Sequence, residues 1–416
     1  MKRFSRSSLT TMAVCLLFIP ALLKAQPRPA HRKKVGVVLS GGGAKGMAHI
    51  GVLKVIEKAG IPIDYVVGTS MGSIIGGLYS IGYSPEQLDS MVRRQDWTFL
   101  LSDKIPRSEQ NLSERDASQK YVFSIPFGKG VKAEVFGGLI RGQNLANLFS
   151  ELTIGYHDSI NFNKLPIPFA CVSENIVNGN EVNFHEGVLA TAMRASMAIP
   201  GVFTPVRLDS MVLVDGGVVN NYPVNVARAM GADLIIGVDV QSELKPAGEL
   251  NSAGAILGQL VNLMGQDLYK KNLKETTTYI KVNVEGYSAA SFTPSAIDTL
   301  IMRGEEAAMA QDSALMALKS QLGLDSTYMP QPIPSYPYSP ERKVYVKEIT
   351  FDGLDEKDKK WLLKRCDLKE NSEISIRRIE EATAILSANL GYSGATYNLP
   401  EAPGGGYNLN YKIGRA

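Results

Sequence analysis

Gly68-Thr69-Ser70-Met71-Gly72 joins an apolar run at residues 65–68, which predicts a strand, to a helical pattern at residues 71–79. A Gly-x-Ser-x-Gly segment at such a junction predicts a sharp turn, because the small residues beside the serine relieve crowding between strand and helix. The hydroxyl of Ser70 is therefore expected to be exposed at the carboxyl end of the strand, where a nucleophile reaches its substrate.

A second glycine-rich segment, Ser40-Gly41-Gly42-Gly43-Ala44-Lys45-Gly46, lies upstream of this turn. It follows an apolar run at residues 35–39, which predicts a buried strand, and it opens a helical pattern at residues 47–58. Loop amides that converge at the start of a helix predict an anion-binding site. The amide of Met71 is a further predicted donor, because it follows the nucleophile directly.

The segment Asp215-Gly216-Gly217 ends an apolar run at residues 211–214, and its two glycines allow the carboxylate to approach Ser70 closely. The alternative is a structural Asx turn that closes a strand. An aspartate has a reference pKa of about 3.9, so it is a weak base unless burial raises that pKa. We interpret Ser70 as a nucleophile and Asp215 as its base.

The four histidines, His31, His49, His157 and His185, do not fit a conventional triad. In α/β-hydrolases the triad runs serine, acid, then histidine, and no histidine follows Asp215. His49 is expected to be a packing or surface residue of the first helix, and His157 and His185 are expected to be exposed. The sequence therefore predicts that the base is not a histidine.

Two other functions compete with hydrolysis. The spacing Gly41-x-Gly43-x-x-Gly46 also matches the dinucleotide-binding fingerprint, which needs an acidic residue at the carboxyl end of the second strand. Asp64 has the right separation but precedes that strand, and Lys45 lacks the following Ser or Thr of a P-loop. The other alternative is a non-catalytic exported adaptor, which the intact Ser70 and Asp215 disfavour.

The composition of the chain excludes some classes of partner and cofactor. The chain has 416 residues, enough for two domains, and its 44 basic and 41 acidic residues indicate no nucleic-acid partner. Its three cysteines include no Cys-x-x-Cys pair, so no metal or other cofactor is expected. Cys171 and Cys366 are expected to be core thiols.

The N-terminus predicts a signal peptide at residues 1–25. Lys2, Arg3 and Arg6 precede an apolar stretch at residues 12–23, and Ala25 offers a small-residue cleavage point. This stretch is shorter than the roughly 20 residues of a membrane-spanning helix. Export to the periplasm, the outer membrane or the medium is therefore expected.

Three further regions follow the signal peptide. Residues 33–325 alternate apolar runs with helical patterns, which predicts an α/β domain whose mainly parallel sheet is covered on both faces. Residues 326–342 hold five prolines and predict a semi-rigid linker. Residues 343–414 predict a small α+β domain in the order β-α-α-β-β. Elements of the first region are also predicted as strands at 167–172, 234–240 and 278–284 and as helices at 187–196, 224–230 and 253–269.

Taken together, these motifs resemble the patatin-like phospholipases over about residues 35–323. The resemblance rests on the three glycine segments and on Arg194-Ala195-Ser196-Met197-Ala198-Ile199-Pro200-Gly201-Val202-Phe203. It implies a three-layer α/β/α sandwich and a Ser70–Asp215 dyad that cleaves lipid acyl esters through an acyl-serine. The oxyanion hole would be formed by the amides of seven residues: Gly41, Gly42, Gly43, Ala44, Lys45, Gly46 and Met71. Gly68, Gly72, Gly216 and Gly217 would support the motifs.

The resemblance also implies partners. The substrate would be a phospholipid or lysophospholipid at a membrane surface. The activity would be that of a phospholipase A or a lysophospholipase. The C-terminal domain resembles a polypeptide-transport-associated (POTRA) domain, with Lys347-Glu348-Ile349-Thr350-Phe351-Asp352-Gly353 as its opening. Such a domain would engage an outer-membrane barrel or another assembly partner. A homodimer stays open.

Overall fold

The computed structural model describes residues 32–102, 138–251, 253–334, 339–352, 354, 356–388 and 392–415. The predicted signal peptide lies outside these ranges. Within them, no helix combines the length and the hydropathy needed to cross a membrane. The described residues form two units, each with a hydrophobic core, on either side of the proline-rich segment.

The larger unit contains the strands β1 (Val35–Leu39), β2 (Tyr65–Thr69), β3 (Gly138–Ile140), β4 (Ile160–Asn161), β5 (Phe169–Asn175), β6 (Asn180–Phe184), β7 (Glu186–Gly187), β8 (Gly201–Phe203), β9 (Val206–Leu208), β10 (Met211–Asp215), β11 (Leu234–Asp239) and β12 (Thr278–Lys281). Eight of them form one sheet in the order β12-β11-β1-β2-β5-β10-β9, with β6 also paired to β5. β3 pairs with β8, and β4 pairs with β7.

Its helices are α1 (Ala48–Lys58), α2 (Met71–Ser80), α3 (Pro85–Arg94), α4 (Trp97–Leu100), α5 (Gln143–Leu152), α6 (Leu189–Ser196), α7 (Val224–Ala229), α8 (Ala253–Met264), α9 (Gln266–Lys274), α10 (Pro294–Met309) and α11 (Asp312–Gln321). Short 3₁₀ turns occur at Gly43–Met47, Phe162–Lys164, Gly216–Val218 and Ala247–Glu249. The predicted single helix at 253–269 is wrong. It is two helices, α8 and α9, with Gly265 between them.

The sheet is parallel through its centre and antiparallel at one side. β12, β11, β1, β2 and β5 pair in parallel, as predicted, whereas β10 and β6 run antiparallel to β5. The register sets Thr69 opposite Val172 and Asp215 opposite Ser173. The end of β2 and the end of β10 therefore lie at the same height, one strand apart from each other across β5.

Helices cover both faces of the sheet, which confirms the predicted three-layer sandwich. Successive side chains of a strand point to opposite faces, so Val37 and Leu39 of β1 join the core that also holds residues of α1, α2 and α6. Val38 faces the other way, into a smaller core with Val224 and Ala227 of α7. Strands buried on both faces explain why these segments read as continuous apolar runs.

The smaller unit consists of β13 (Lys343–Asp352), α12 (Glu356–Arg365), β14 (Ser372–Ser375), α13 (Ile376–Ser387), β15 (Tyr392–Asn398) and β16 (Tyr407–Arg415). Its sheet has the order β14-β13-β16-β15. The short strand β14 is absent from the predicted order, because four residues after a turn carry too weak an alternating pattern to stand out. The rest follows the prediction.

The two units touch through the segment after α5. His157 Nδ1 accepts the amide of Leu399 at 2.7 Å, and its Nε2 bonds the carbonyl of Ser150 at 2.7 Å. Asp158 accepts the amide of Glu401 at 3.0 Å. The prediction that His157 is exposed is wrong, because its ring is buried in this contact.

Both cysteines of the described residues are free and buried, as expected. Cys171 lies on β5 in the core of the larger unit, and Cys366 lies in the core of the smaller one.

The proline-rich segment begins attached to the larger unit. Lys319 Nζ donates to the carbonyls of Ser326 and Tyr328 at 3.0 and 2.9 Å.

Candidate active site

Ser70 and Asp215 are in direct contact. Ser70 Oγ donates a hydrogen bond to Asp215 Oδ2 over 2.6 Å. Ser70 is only 5% exposed and Asp215 only 6%. The predicted exposure of Ser70 is therefore wrong, because the glycine loop lies against it: a Cβ built at Gly41 would be 3.0 Å from that of Ser70. A hydrogen bond to a carboxylate is strong where water is excluded.

The turn at Ser70 holds the serine in a strained backbone conformation. Its φ is 55° and its ψ is −123°, values that a residue other than glycine rarely adopts. Close backbone packing holds it there. A Cβ at Gly72 would come within 2.2 Å of the Leu39 carbonyl oxygen, and a Cβ at Gly68 within 2.3 Å of the Gly72 oxygen. Glycine is therefore required at both positions.

Hydrogen bonds hold both the backbone and the side chain of Asp215. Its amide donates to the Ala198 carbonyl at 2.9 Å, and its Oδ1 accepts the amide of Gly217 at 2.8 Å. The chain then crosses the end of β5, where a Cβ at Gly216 would lie within 2.3 Å of the Val172 oxygen. The two glycines thus permit the close approach that the sequence predicts.

The environment makes the carboxylate of Asp215 more basic. Burial raises the pKa of Asp215 to about 6, while the hydrogen bonds from Ser70 and Gly217 act in the opposite direction. A base whose pKa lies near the working pH accepts a proton better than an ordinary aspartate does. At pH 7 the group is still mostly ionised, so it is both charged and able to take a proton.

The seven predicted oxyanion amides do not all serve the same purpose. The amides of Gly41, Ala44 and Lys45 donate to backbone carbonyls at 3.2, 2.8 and 3.3 Å. These three predictions need correction, since a donor that holds the loop together is not available to a substrate. Gly46 is the fourth residue of the 3₁₀ turn Gly43–Met47, where amides bond the carbonyl three residues back. Glycine is needed there, because a Cβ would come within 2.4 Å of Met71 Cγ.

Three amides are left as candidates for the oxyanion hole. Within the described ranges, the amides of Gly42, Gly43 and Met71 donate to no acceptor. Met71 begins α2, and the first residues of a helix have no carbonyl one turn back. Gly43 has a φ of 57°, and a Cβ there would come within 2.4 Å of the Ala289 oxygen. Glycine is therefore needed to form this part of the loop.

Two other ionisable groups of the loop region have structural contacts. Lys45 Nζ donates to Ser242 Oγ at 2.8 Å, and burial lowers the pKa of Lys45 to about 8. His49 is fully buried, and its Nε2 donates to the carbonyl of Ser40 at 2.8 Å. Because burial lowers the pKa of His49 to about 4, this ring is neutral at pH 7. The role of His49 is packing, as predicted.

Two polar side chains support the site without having been assigned a role from the sequence. Ser196 Oγ, at the end of α6, accepts the amide of Ser70 at 3.0 Å and donates to the Val172 carbonyl at 2.6 Å. Thr69 Oγ1 donates to the Asn220 carbonyl at 2.9 Å, which ties the turn to the loop after Asp215. Only the resemblance over residues 194–203 pointed to the neighbourhood of Ser196.

Ser196→Ala is expected to lower kcat about 10-fold while KM changes little. The variant leaves the buried amide of Ser70 without its acceptor, which costs about 1–3 kcal/mol, and loosens the turn that aims the nucleophile. Steady-state kinetics on a soluble ester checks this. Ser80→Ala is the matched control, because the buried hydroxyl of Ser80 has no partner among the described residues. Equal rates for both variants would contradict the assigned contact.

The dinucleotide alternative finds no support at the end of β2. Asp64 lies before that strand, where its carboxylate accepts two hydrogen bonds from Arg32, at 2.6 and 2.8 Å, and one from the Val35 amide at 2.8 Å. It therefore closes the opposite edge of the sheet. The residue that follows β2 at its carboxyl end is Ser70, and a serine has no carboxylate to bind a ribose.

Comparisons with known proteins identify a family profile and several relatives that parts of this chain match. The patatin-like phospholipase family profile matches residues 37–228. Lysophospholipase NTE1 of Candida albicans is 31% identical over 221 residues, which cover 52% of this chain and 14% of that protein. An uncharacterized NTE family protein of Mycobacterium bovis is 29% identical over 230 residues, 55% of each chain. This chain therefore spans about half the length of these relatives, or less.

A solved structure, VipD from Legionella pneumophila, has 16% sequence identity and a TM-score of 0.37, covering 69% of this chain and 67% of that one. A likeness this low carries no information about function. The residues that match the family profile, 37–228, contain the glycine loop, the turn at Ser70 and Asp215. They also span the strands that bring these groups together. Over residues 37–228, the chain therefore matches the patatin-like phospholipase family.

Proposed function

We propose that this protein is a serine hydrolase that cleaves the acyl esters of phospholipids or lysophospholipids. The observation that carries the proposal is the 2.6 Å hydrogen bond from Ser70 Oγ to Asp215 Oδ2 on a strained strand-to-helix turn. A hydroxyl held by a buried carboxylate next to free backbone amides is an arrangement suited to acyl transfer. The relative named a lysophospholipase supports the choice of substrate.

In the first half-reaction, Ser70 Oγ attacks the ester carbonyl carbon while Asp215 Oδ2 takes its proton. The carbonyl oxygen becomes negatively charged and is stabilised by the amides of Gly42, Gly43 and Met71. One such donor contributes about 3–4 kcal/mol in related chemistry. Asp215 then returns the proton to the departing alcohol oxygen as the carbon–oxygen bond breaks, which leaves an acyl-serine.

In the second half-reaction, Asp215 accepts a proton from water, and the resulting hydroxide attacks the acyl-serine. The same amides stabilise the second oxyanion, and Asp215 protonates Ser70 Oγ as it leaves. The sequence of proton transfers needs one carboxylate and no histidine. Gly217 keeps the other oxygen of Asp215 occupied, so Oδ2 remains the one that exchanges the proton.

The rate of hydrolysis is expected to rise with pH through about 6 and to level off above pH 7. Burial raises the pKa of Asp215 to about 6, and only the ionised form accepts the proton of Ser70. Below pH 6 the rate should therefore fall up to tenfold per pH unit. His49 cannot account for this inflection, because its pKa is about 4.

The measurement is kcat/KM on a soluble ester between pH 4.5 and 8.5, with circular dichroism recorded at each pH. A rate that stays constant down to pH 4.5 would rule out Asp215 as the base. Two further assays test the hydrolytic activity itself. Turnover of a short-chain chromogenic ester and release of fatty acid from phospholipid vesicles should both be lost on fluorophosphonate labelling of Ser70.

Two alternatives make different predictions. A nucleotide-binding enzyme should bind a labelled dinucleotide, whereas a hydrolase should not. A non-catalytic adaptor should neither hydrolyse the ester nor react with a fluorophosphonate. The contact between Ser70 and Asp215 favours hydrolysis over both, since neither a nucleotide site nor an adaptor needs an aligned nucleophile and base.

Export and assembly complete the proposal. Residues 1–25 would direct the chain out of the cytoplasm, to act in the periplasm, in the outer membrane or outside the cell. The C-terminal domain would act as a POTRA-like module that recruits an outer-membrane barrel or another assembly partner. The opening strand β13, the two helices and the final strands β15 and β16 support this comparison, whereas the short strand β14 is additional to the β-α-α-β-β order on which it is based. Fractionation of cells that express the full chain is the test.

A further inference from the structure

The helix α8 presents its apolar side to solvent. Ile256, Leu260, Leu263 and Met264 are between 47% and 67% exposed. Their spacing of i, i+4, i+7 and i+8 places them on one face of the helix. A surface helix normally turns such a face toward the protein core. This face, which we call the α8 apolar face, is instead left exposed by the residues that the structure describes.

Asn262, on another side of α8, belongs to the active-site region. Asn262 lies roughly 200° around the helix from Leu260. Together with Gly265 it lines a small pocket whose other wall includes Gly217 and Asn221. Gly217 is the residue whose amide binds Asp215. The α8 apolar face therefore lies on the outer side of a helix that packs against the catalytic loop.

Exposed lysines follow the apolar face directly. Lys270, Lys271 and Lys274 of α9 are exposed, against one exposed acidic residue of that helix, Asp267. The inward side of α9 is held by Asn272, which is buried. An exposed apolar helix face, followed along the chain by a helix with exposed lysines, matches the surface of an anionic lipid bilayer, where apolar side chains enter the acyl region and lysines meet the head groups.

We propose that the α8 apolar face and the three α9 lysines are a docking surface for an anionic lipid bilayer, which brings the substrate to the loop beside Ser70. The inference rests on the proposed lipid substrate. It adds which part of the protein meets the membrane. A second copy of this chain is the competing occupant. The net positive charge of the exposed α9 residues argues against it, because two positively charged surfaces repel each other.

The test measures vesicle binding separately from hydrolysis. In a full-length Ser70→Ala background, Leu260→Gln combined with Leu263→Gln should weaken co-sedimentation with phosphatidylglycerol vesicles at least about 10-fold. Met302→Gln combined with Met309→Gln is the matched control on α10, where the two side chains are 50% and 54% exposed. Its binding should stay within about twofold of the parent.

A second set of variants separates charge from apolar contact. Replacing Lys270, Lys271 and Lys274 by Gln should reduce binding to phosphatidylglycerol vesicles at least about 10-fold and leave weak binding to phosphatidylcholine unchanged. The single variant Met264→Gln, at the helix end, tests the apolar contact with the least risk to folding. If neither the leucine nor the methionine variant weakens binding, the proposal is overturned.

Activity and mass complete the design. With Ser70 intact, the leucine variant should keep its kcat/KM on a soluble short-chain ester and lose at least about 10-fold on vesicles. If the parent has no esterase activity but its vesicle binding still depends on the leucines, the proposed function fails while the docking surface stands. If the leucine variant converts a dimer into a monomer in sedimentation velocity and vesicle binding is unchanged, a second copy is the occupant and the proposal is overturned.

Discussion

Ser70→Ala and Asp215→Asn are each expected to lower kcat on a soluble ester by about 10⁴-fold, because both members of a catalytic pair act as one unit. Ser70→Ala removes the attacking oxygen. Asp215→Asn keeps the shape of the side chain and an acceptor for Ser70 Oγ, but an amide does not take up the proton. The loss in the second variant therefore reports on proton transfer rather than on packing.

Fluorophosphonate labelling separates the two roles. Ser70→Ala should not be labelled at all, whereas Asp215→Asn should be labelled slowly, since its nucleophile is present but unassisted. Asp209→Asn is the matched control, because Asp209 lies in the exposed turn before β10 and has a positive φ that asparagine tolerates. Turnover by Asp215→Asn within tenfold of the parent would show that another group is the base.

Gly72→Ala is expected to destabilise the larger unit by about 3 kcal/mol or more and to abolish hydrolysis. In an ordinary helix, alanine is about 1 kcal/mol better than glycine. Here the added Cβ would come within 2.2 Å of the Leu39 oxygen and 2.7 Å of the Ser40 oxygen. Both are backbone atoms, so β1 or α2 must move, and forced overpacking of this kind outweighs the gain in helix propensity.

Thermal and chemical unfolding of the full chain check the stability change, with ester hydrolysis measured in parallel. Gly248→Ala is the matched control, since a Cβ there meets no atom within 4 Å and the residue does not have a left-handed φ. That variant should change the free energy of unfolding by less than about 0.5 kcal/mol. A Gly72→Ala protein as stable and as active as the parent would show that the turn has more room than its packing indicates.

The local parts of the site could be predicted because short-range chemistry specifies them. Glycine at positions 68 and 72 is required by contacts within and next to one turn, and the end of an apolar run marks where β2 stops. The same holds for Gly43 with its positive φ. For Gly68 the crowding atom lies four positions along the chain, whereas Gly72 and Gly43 are also crowded by Leu39 and Ala289 from other parts of the chain.

Longer-range features were beyond the sequence. Continuous apolar runs identify buried strands but not their direction, so the antiparallel course of β10 was not predicted. The partners of Gly41, Ala44 and Lys45 come from distant carbonyls or from the loop's own curvature, which a motif does not encode. Likewise, nothing in the chain near His157 indicates that Leu399, directly after β15, donates a hydrogen bond to its ring.

By itself, then, the sequence identified the groups to which we assign chemistry: a hydroxyl on a tight turn, a glycine loop at the start of a helix, and a carboxylate before two glycines. The tertiary structure decided whether they meet. Strand β10 reverses direction beside β5 and its register brings Asp215 level with Ser70. Burial there raises the pKa of Asp215, and that depends on atoms from distant parts of the chain.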